Sequence, residues 1–148
     1  MERKFLLRAM PRLPAGARVL RIDQGWIPGV RLRERLRRTR EGEHTTYYRA
    51  VKLGSGLKRL ELEEQTTPEV FRALWRLTRG KRIRKLRYVV AAGGRAWEID
   101  RFPALGLVLA EIELGSEEEP VQIPEWLSPV IEREVTGEVE YTNYSLAR

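Results

Sequence analysis

Seven stretches of this chain place charged residues of both signs on alternate positions, largely with apolar residues between them. The sets are Glu2 and Lys4; Arg31 and Arg33; Lys52; Arg59, Glu61 and Glu63; Lys85 and Arg87; Glu98 and Asp100; Glu111 and Glu113. Successive side chains of a strand point to opposite faces, so each set occupies one face of its strand. Like charges two apart repel each other, and the doublets Glu61/Glu63 and Glu111/Glu113 cost stability unless a cation lies between the carboxylates. Arg31/Arg33 carries the same cost and is relieved by a polyphosphate. If both kinds of doublet face one lumen, that lumen suits a metal–polyphosphate complex.

The elements that must position these residues follow from periodicity and turn chemistry. Period-two alternation predicts strands over about 2–9, 19–26, 30–38, 45–53, 57–65, 83–92, 95–102 and 107–114, with turns at Pro28-Gly29, Arg40 to Glu43, Gly54-Ser55-Gly56 and Gly93-Gly94. Thr67 is placed to cap a helix with Pro68 at its first position, and Val70, Phe71, Leu74, Trp75 and Leu77 follow at helical spacing up to Gly80. A second, short helix is expected over Pro124 to Glu134. The expected fold is α+β and mostly β: a closed eight-stranded antiparallel barrel formed by residues 1–148 as a single domain, with the helices packed outside. The apolar strand faces then point outward, where the two helices cover part of them and a homodimer would cover more. The competing architecture is an open sheet with the apolar face as its core and the charges in water.

Composition narrows the partner. A chain of 148 residues, 42% hydrophobic, is long enough for one substantial core. Its formal net charge is +7, with 23 arginines against five lysines. The planar guanidinium fork binds phosphate oxygens bidentately, which favours an anionic partner, although genomic composition or heat adaptation produces the same surplus. There is no cysteine, so any metal is held by oxygen or by the single His44, and hard cations are the candidates. His44 lies in a polar turn and is expected to be exposed. No run of 18 apolar residues and no signal-peptide pattern occurs, and a cytoplasmic location is the expectation. Neither a Walker loop nor a Ser/His/Asp set is present.

Eight motifs in order give the chain a family likeness: Glu2-Arg3-Lys4-Phe5-Leu6, Arg31-Leu32-Arg33, Tyr48 to Lys52, Arg59-Leu60-Glu61-Leu62-Glu63, Lys85-Leu86-Arg87-Tyr88, Trp97 to Phe102, Ala110 to Leu114, and Tyr141 to Leu146. In these the chain resembles the CYTH superfamily, the triphosphate tunnel metalloenzymes, which include class IV adenylate cyclases, thiamine triphosphatases and inorganic tripolyphosphatases. The resemblance implies a barrel whose tunnel holds a triphosphate through Lys4, Arg31, Arg33, Lys52, Arg59, Lys85 and Arg87, and Mg²⁺ or Mn²⁺ through Glu2, Glu111 and Glu113. Glu61 and Glu63 match a second acidic pair that binds another metal or orients the attacking water. With Lys85 they form the expected catalytic set, and Asp100 joins the acidic lining. The family's opening motif is Glu-x-Glu-x-Lys; Glu2 and Lys4 match its last two members, and the first would fall one position before Met1, so either the start is assigned too late or an acidic ligand, and metal affinity with it, has been lost.

The implied activity is metal-dependent hydrolysis of inorganic tripolyphosphate or a nucleoside triphosphate. Adenylate cyclase and thiamine triphosphatase are the alternatives within the family, with Tyr48 and Trp26 as candidates to stack a base or thiazolium. A non-catalytic module binding polyphosphate or RNA is the rival from another class, motivated by Arg33 to Arg40. Nucleic acid is the weaker partner, because binding it does not require acidic doublets.

Overall fold

The computed structural model describes residues 1–29, 32–53 and 60–148. Nine strands form one sheet: β1 (Glu2–Leu7), β2 (Arg18–Ile27), β3 (Leu32–Glu41), β4 (His44–Leu53), β5 (Leu60–Gln65), β6 (Arg82–Ala92), β7 (Arg95–Phe102), β8 (Leu107–Glu113) and β9 (Ile131–Glu134). Their order is β5-β4-β3-β2-β6-β7-β8-β1-β9. The expected mostly-β architecture is present, with nine strands among the described residues where eight were expected. Among the described residues β5 and β9 end the sheet without pairing to each other, so the expected closure is not seen. Among the described residues two α-helices occur, α1 (Pro68–Trp75) and α2 (Asn143–Leu146), and none is long and apolar enough to cross a membrane.

The extra strand lies where a helix was expected. Residues 124–134 form a turn, a 3₁₀ segment at Ser128–Val130 and then β9, which pairs antiparallel with β1. Pro129 lacks the N–H that a continuous helix needs at that position. The alternation of Ile131, Arg133 and Val135 with Glu132 and Glu134 then carries the chain on as a strand.

The chain divides into two compact units, one comprising Met1–Leu20 and Lys85–Tyr141, the other Arg21–Arg84 and Thr142–Arg148. In the first, Phe5, Leu7, Val90, Trp97, Ile99, Ala110 and Ile112 share one sheet face and form the core with Leu114 and Leu127. Met10, Leu13, Val121, Trp126, Val130 and Ile131 pack over it. The cover is therefore made by loops and β9 and not by the expected second helix. Register puts Glu2 opposite Glu113, Lys4 opposite Glu111, Glu98 opposite Glu111 and Arg87 opposite Asp100, so the charged sets share the other face.

In the second unit α1 covers the sheet. The Thr67 hydroxyl accepts from the Val70 N–H at 3.2 Å, Pro68 occupies the first turn, and Phe71 is buried against Tyr47, with ring centroids 5.1 Å apart. The α-helix stops at Trp75, short of Gly80, because the chain tightens into a 3₁₀ turn over Arg76–Thr78, whose Thr78 hydroxyl donates to the Trp75 carbonyl at 2.7 Å. This turn seats directly on Gly25 of β2: a Cβ there would lie 2.8 Å from the Thr78 Cβ and 2.9 Å from the Trp75 ring. Gly25→Ala is therefore expected to destabilise the protein by about 1–3 kcal/mol through overpacking. Urea unfolding checks this, with an unchanged midpoint as the contrary result.

Candidate phosphate-binding site

The charged face of the first unit is withdrawn from water. Lys85 and Asp100 are 0% exposed and Glu111 only 7%. The Lys85 Nζ donates to Asp100 Oδ2 at 2.7 Å, and Arg87 donates through Nε and Nη2 to both oxygens of the same carboxylate at 2.7 and 2.8 Å. Arg87 Nη1 reaches Glu98 at 2.5 Å, and Nη2 lies 3.9 Å from Glu111. Lys4 pairs with Glu111 at 3.1 Å, lies 3.8 Å from Glu2, and donates to the Tyr141 carbonyl at 3.1 Å. A solvent face does not bury ion pairs in this way, which removes the competing architecture of charges in open water for this unit.

These contacts set the protonation states. Burial alone would push the Asp100 carboxyl up, but the Lys85 charge and the hydrogen bonds and charge of Arg87 outweigh it and bring it down to about 2. Burial likewise opposes the charge on Arg87, and the Asp100 carboxylate more than restores it, raising its pKa. Glu2 is pushed up by partial desolvation and by the Glu111 carboxylate beside it, with Lys4 pulling the other way. Lys85 thus stays paired with Asp100, and Asp100 anchors two cations; the sequence alone suggested for it only a place in the acidic lining.

Glu2, Glu111 and Glu113 were expected to hold the metal. Glu2 and Glu111 bring two like charges together, which with partial burial raises the Glu2 carboxyl. Glu113 lies opposite Glu2 in the register, but its side chain is largely exposed and accepts from the Met1 terminal ammonium at 2.6 Å. No group of three carboxylate or histidine side chains among the described residues is arranged to hold a metal ion. The donor chemistry nevertheless fits a hard divalent cation: only oxygen is offered, and the Glu2/Glu111 pair is the kind of like-charge contact a cation relieves.

The second unit presents the basic set. Arg33, Arg35 and Arg37 line one face of β3, with Arg33 opposite Lys52 and Lys52 opposite Glu61. Lys52 lies 3.9 Å from Glu61, Arg35 is 3.4 Å from Glu63, and Arg37 Nε donates to the side-chain Oε1 of the buried Gln24 at 2.8 Å. The two glutamates of the expected catalytic set thus stand next to cations on exposed strand β5. Arg31 and Arg59 lie outside the described residues. His44 opens β4 at the surface.

Arg35 and Arg37 extend the basic face of β3 that the alternation with Arg33 already marks, although only Arg31 and Arg33 were assigned to the substrate. Tyr144 could not be found that way, since it comes from a different part of the chain: its ring lies 3.8 Å from the Arg33 guanidinium carbon and 4.0 Å from Lys81 Nζ. Trp26, one candidate for stacking a substrate ring, is 5% exposed and sits edge-on to Tyr144 at 5.6 Å.

A mostly antiparallel sheet whose charged faces carry arginine, lysine and glutamate defines a protein built to hold a polyanion. No family model matches the chain. It is 34% identical over 152 residues to the inorganic triphosphatase of Nitrosomonas europaea, covering 99% of this chain and 95% of that relative. It is 39% identical over 97 residues to the inorganic triphosphatase of Acetivibrio thermocellus, covering 64% of this chain and 60% of the relative. The crystal structure of the inorganic triphosphatase NE1496 superposes with a TM-score of 0.73 at 30% identity, covering 99% of this chain and 96% of that one. The PH1819 protein of Pyrococcus horikoshii, at 17% identity and a TM-score of 0.54, shares the fold. The chain belongs to the inorganic triphosphatases of the CYTH, triphosphate tunnel family.

The buried Lys85–Asp100 pair makes a stability prediction. Asp100→Asn leaves Lys85 charged, buried and uncompensated and is expected to cost about 3–5 kcal/mol. Asp100 is held near a pKa of about 2, below its unfolded value, so its contribution is complete above about pH 4 and is lost as pH falls through about 2. Acid titrations of the two proteins should show this component in the wild type and not in the variant; equal stabilities would refute the pairing.

Proposed function

We propose that the chain hydrolyses inorganic tripolyphosphate to pyrophosphate and orthophosphate in the cytoplasm, with Mg²⁺ or Mn²⁺ as the required cation. Membership among the inorganic triphosphatases supports the reaction class. The single observation in the molecule that favours it is the buried, ion-paired face of Lys4, Lys85, Arg87 and Glu111, which offers fixed positive charge and carboxylate in a site sheltered from water.

Phosphoanhydride hydrolysis forms a bond from water oxygen to phosphorus and breaks the bond to the bridging oxygen, so the protein's part is neutralisation and alignment. In this reading Lys4, Arg33, Lys52 and Arg87 hold phosphate oxygens, Arg31 and Arg59 are expected to join them, and Lys85, fully buried on Asp100, contributes its charge without touching the substrate. Asp100 keeps Lys85 and Arg87 in place. Glu61 or Glu63 aligns the attacking water and accepts its proton. Glu2 and Glu111, with Glu113 across the strand pair, would hold the cation, which supplies Lewis-acid stabilisation of the phosphoryl oxygens when bound. Closure of the sheet around the substrate, as the family likeness implies, belongs to the same proposal.

Phosphate release from tripolyphosphate, pyrophosphate, ATP and thiamine triphosphate, each with Mg²⁺ or Mn²⁺, tests the reading. Tripolyphosphate turnover that is abolished by EDTA and falls about tenfold or more in Glu111→Gln is the expected result. Binding with no phosphate release, and with steep salt dependence, would favour the non-catalytic polyphosphate or RNA module instead.

A further inference from the structure

Several cations of the second unit have no carboxylate partner among the described residues, and two of them meet at one aromatic ring. Among the described residues, neither Arg33 nor Lys81 forms an ion pair with a carboxylate. Both converge on Tyr144, at 3.8 and 4.0 Å from its ring centroid. Two like charges this close to one centroid avoid each other only from opposite faces, so the ring acts as a spacer that attracts each cation through its quadrupole while holding them apart.

The spacer is fixed from three sides. Trp26 packs its edge against the ring at 5.6 Å with planes 85° apart. The Thr142 hydroxyl caps the turn of α2 that carries Tyr144, accepting from the Ser145 N–H at 3.2 Å. Beyond it, the Arg82 N–H donates to the Arg148 carbonyl at 3.0 Å and the Arg148 N–H returns to Arg82 at 2.8 Å. Lys81 is held by its own backbone, its carbonyl accepting from Trp26 N–H and its N–H donating to Thr78, both at 3.0 Å. Two cations presented this rigidly without a counter-charge leave a repulsion that a bound polyanion relieves.

We propose that Lys81 is a further triphosphate-binding residue and that Tyr144 is the positioning residue that presents it together with Arg33. This rests on the triphosphate reading above. It adds a residue from the turn before β6 that lies outside the alternating sets, and it gives the C-terminal segment a role in substrate affinity.

The test is calorimetric titration of tripolyphosphate in EDTA, which reads affinity whether or not turnover occurs, beside phosphate-release assays with Mg²⁺. Lys81→Gln should weaken binding about tenfold with little change in melting temperature, since it removes one cation–π contact and no core packing. Tyr144→Leu should weaken binding similarly, Tyr144→Phe should restore it because the ring alone is needed, and Tyr144→Leu combined with Arg33→Gln should lose less than the product of the single losses. In the assays the loss should appear in KM more than in kcat. Wild-type affinity in Lys81→Gln, or a Tyr144→Phe protein as weak as Tyr144→Leu, would overturn the inference while leaving hydrolysis intact. Wild-type binding without turnover would remove the hydrolase reading and leave this one standing, and a wild type that neither binds in EDTA nor releases phosphate with Mg²⁺ would overturn both.

Discussion

A lysine and an aspartate with no exposure to water, joined at 2.7 Å across neighbouring strands β6 and β7, set the conditions for the rest of the first unit. Desolvating either charge alone costs several kcal/mol, so neither can be there without the other, and Arg87 makes the carboxylate a shared anchor. The anchor is possible because the opposite face of the same strands is close-packed: Trp97 and Ile99 on β7 are fully buried, which fixes the pleat and therefore where Asp100 must point. Arg87 then bridges towards Glu98 and Glu111, and Glu111 towards Lys4, so that four strands contribute to one continuous charged network. A network of this kind has little freedom to rearrange when an anion arrives, which is what electrostatic preorganisation requires.

The second unit follows the same pattern of one charged and one covered face but distributes its charge differently. On its charged face Arg33, Arg35 and Arg37 stand on β3 and Glu61 and Glu63 on β5, with Lys52 between them. The covered face is not purely apolar: Arg49 pairs with Glu34 at 2.7 Å and lies 3.7 Å from Glu64, and Asp23 is gripped by Arg38 and Arg84, each at 2.7 Å. These pairs satisfy arginines that the composition alone would assign to anion binding. The arginine surplus is therefore partly structural, and the cations that remain without a carboxylate are the more informative ones.

Period-two alternation located eight of the strands because a sheet with one charged face and one buried face leaves that signature in every strand. It could not reveal whether the sheet closes, since closure depends on pairing between distant strands and not on any local pattern. The helix expected over residues 124–134 failed for a local reason, Pro129, that was readable but outweighed by the spacing of Trp126, Val130 and Ile131. At the site, residue type and phase identified Lys4, Lys85, Arg87 and Glu111 as one-sided, and the family likeness assigned their roles. The role of Asp100 as the anchor of two cations needed register, and the approach of Tyr144 to Arg33 needed coordinates, because no sequence period links residues so far apart.

The most direct test of the account is a crystal structure with tripolyphosphate and Mn²⁺, in which anomalous scattering locates the cation independently of the phosphates. The account predicts manganese between the Glu2 and Glu111 carboxylates, phosphate oxygens on Lys4 and Arg87, and the Lys85–Asp100 pair unmoved. Manganese and anion bound on the apolar side of the same strands, or held only by exposed side chains with Glu111 still closed on Lys4, would contradict it.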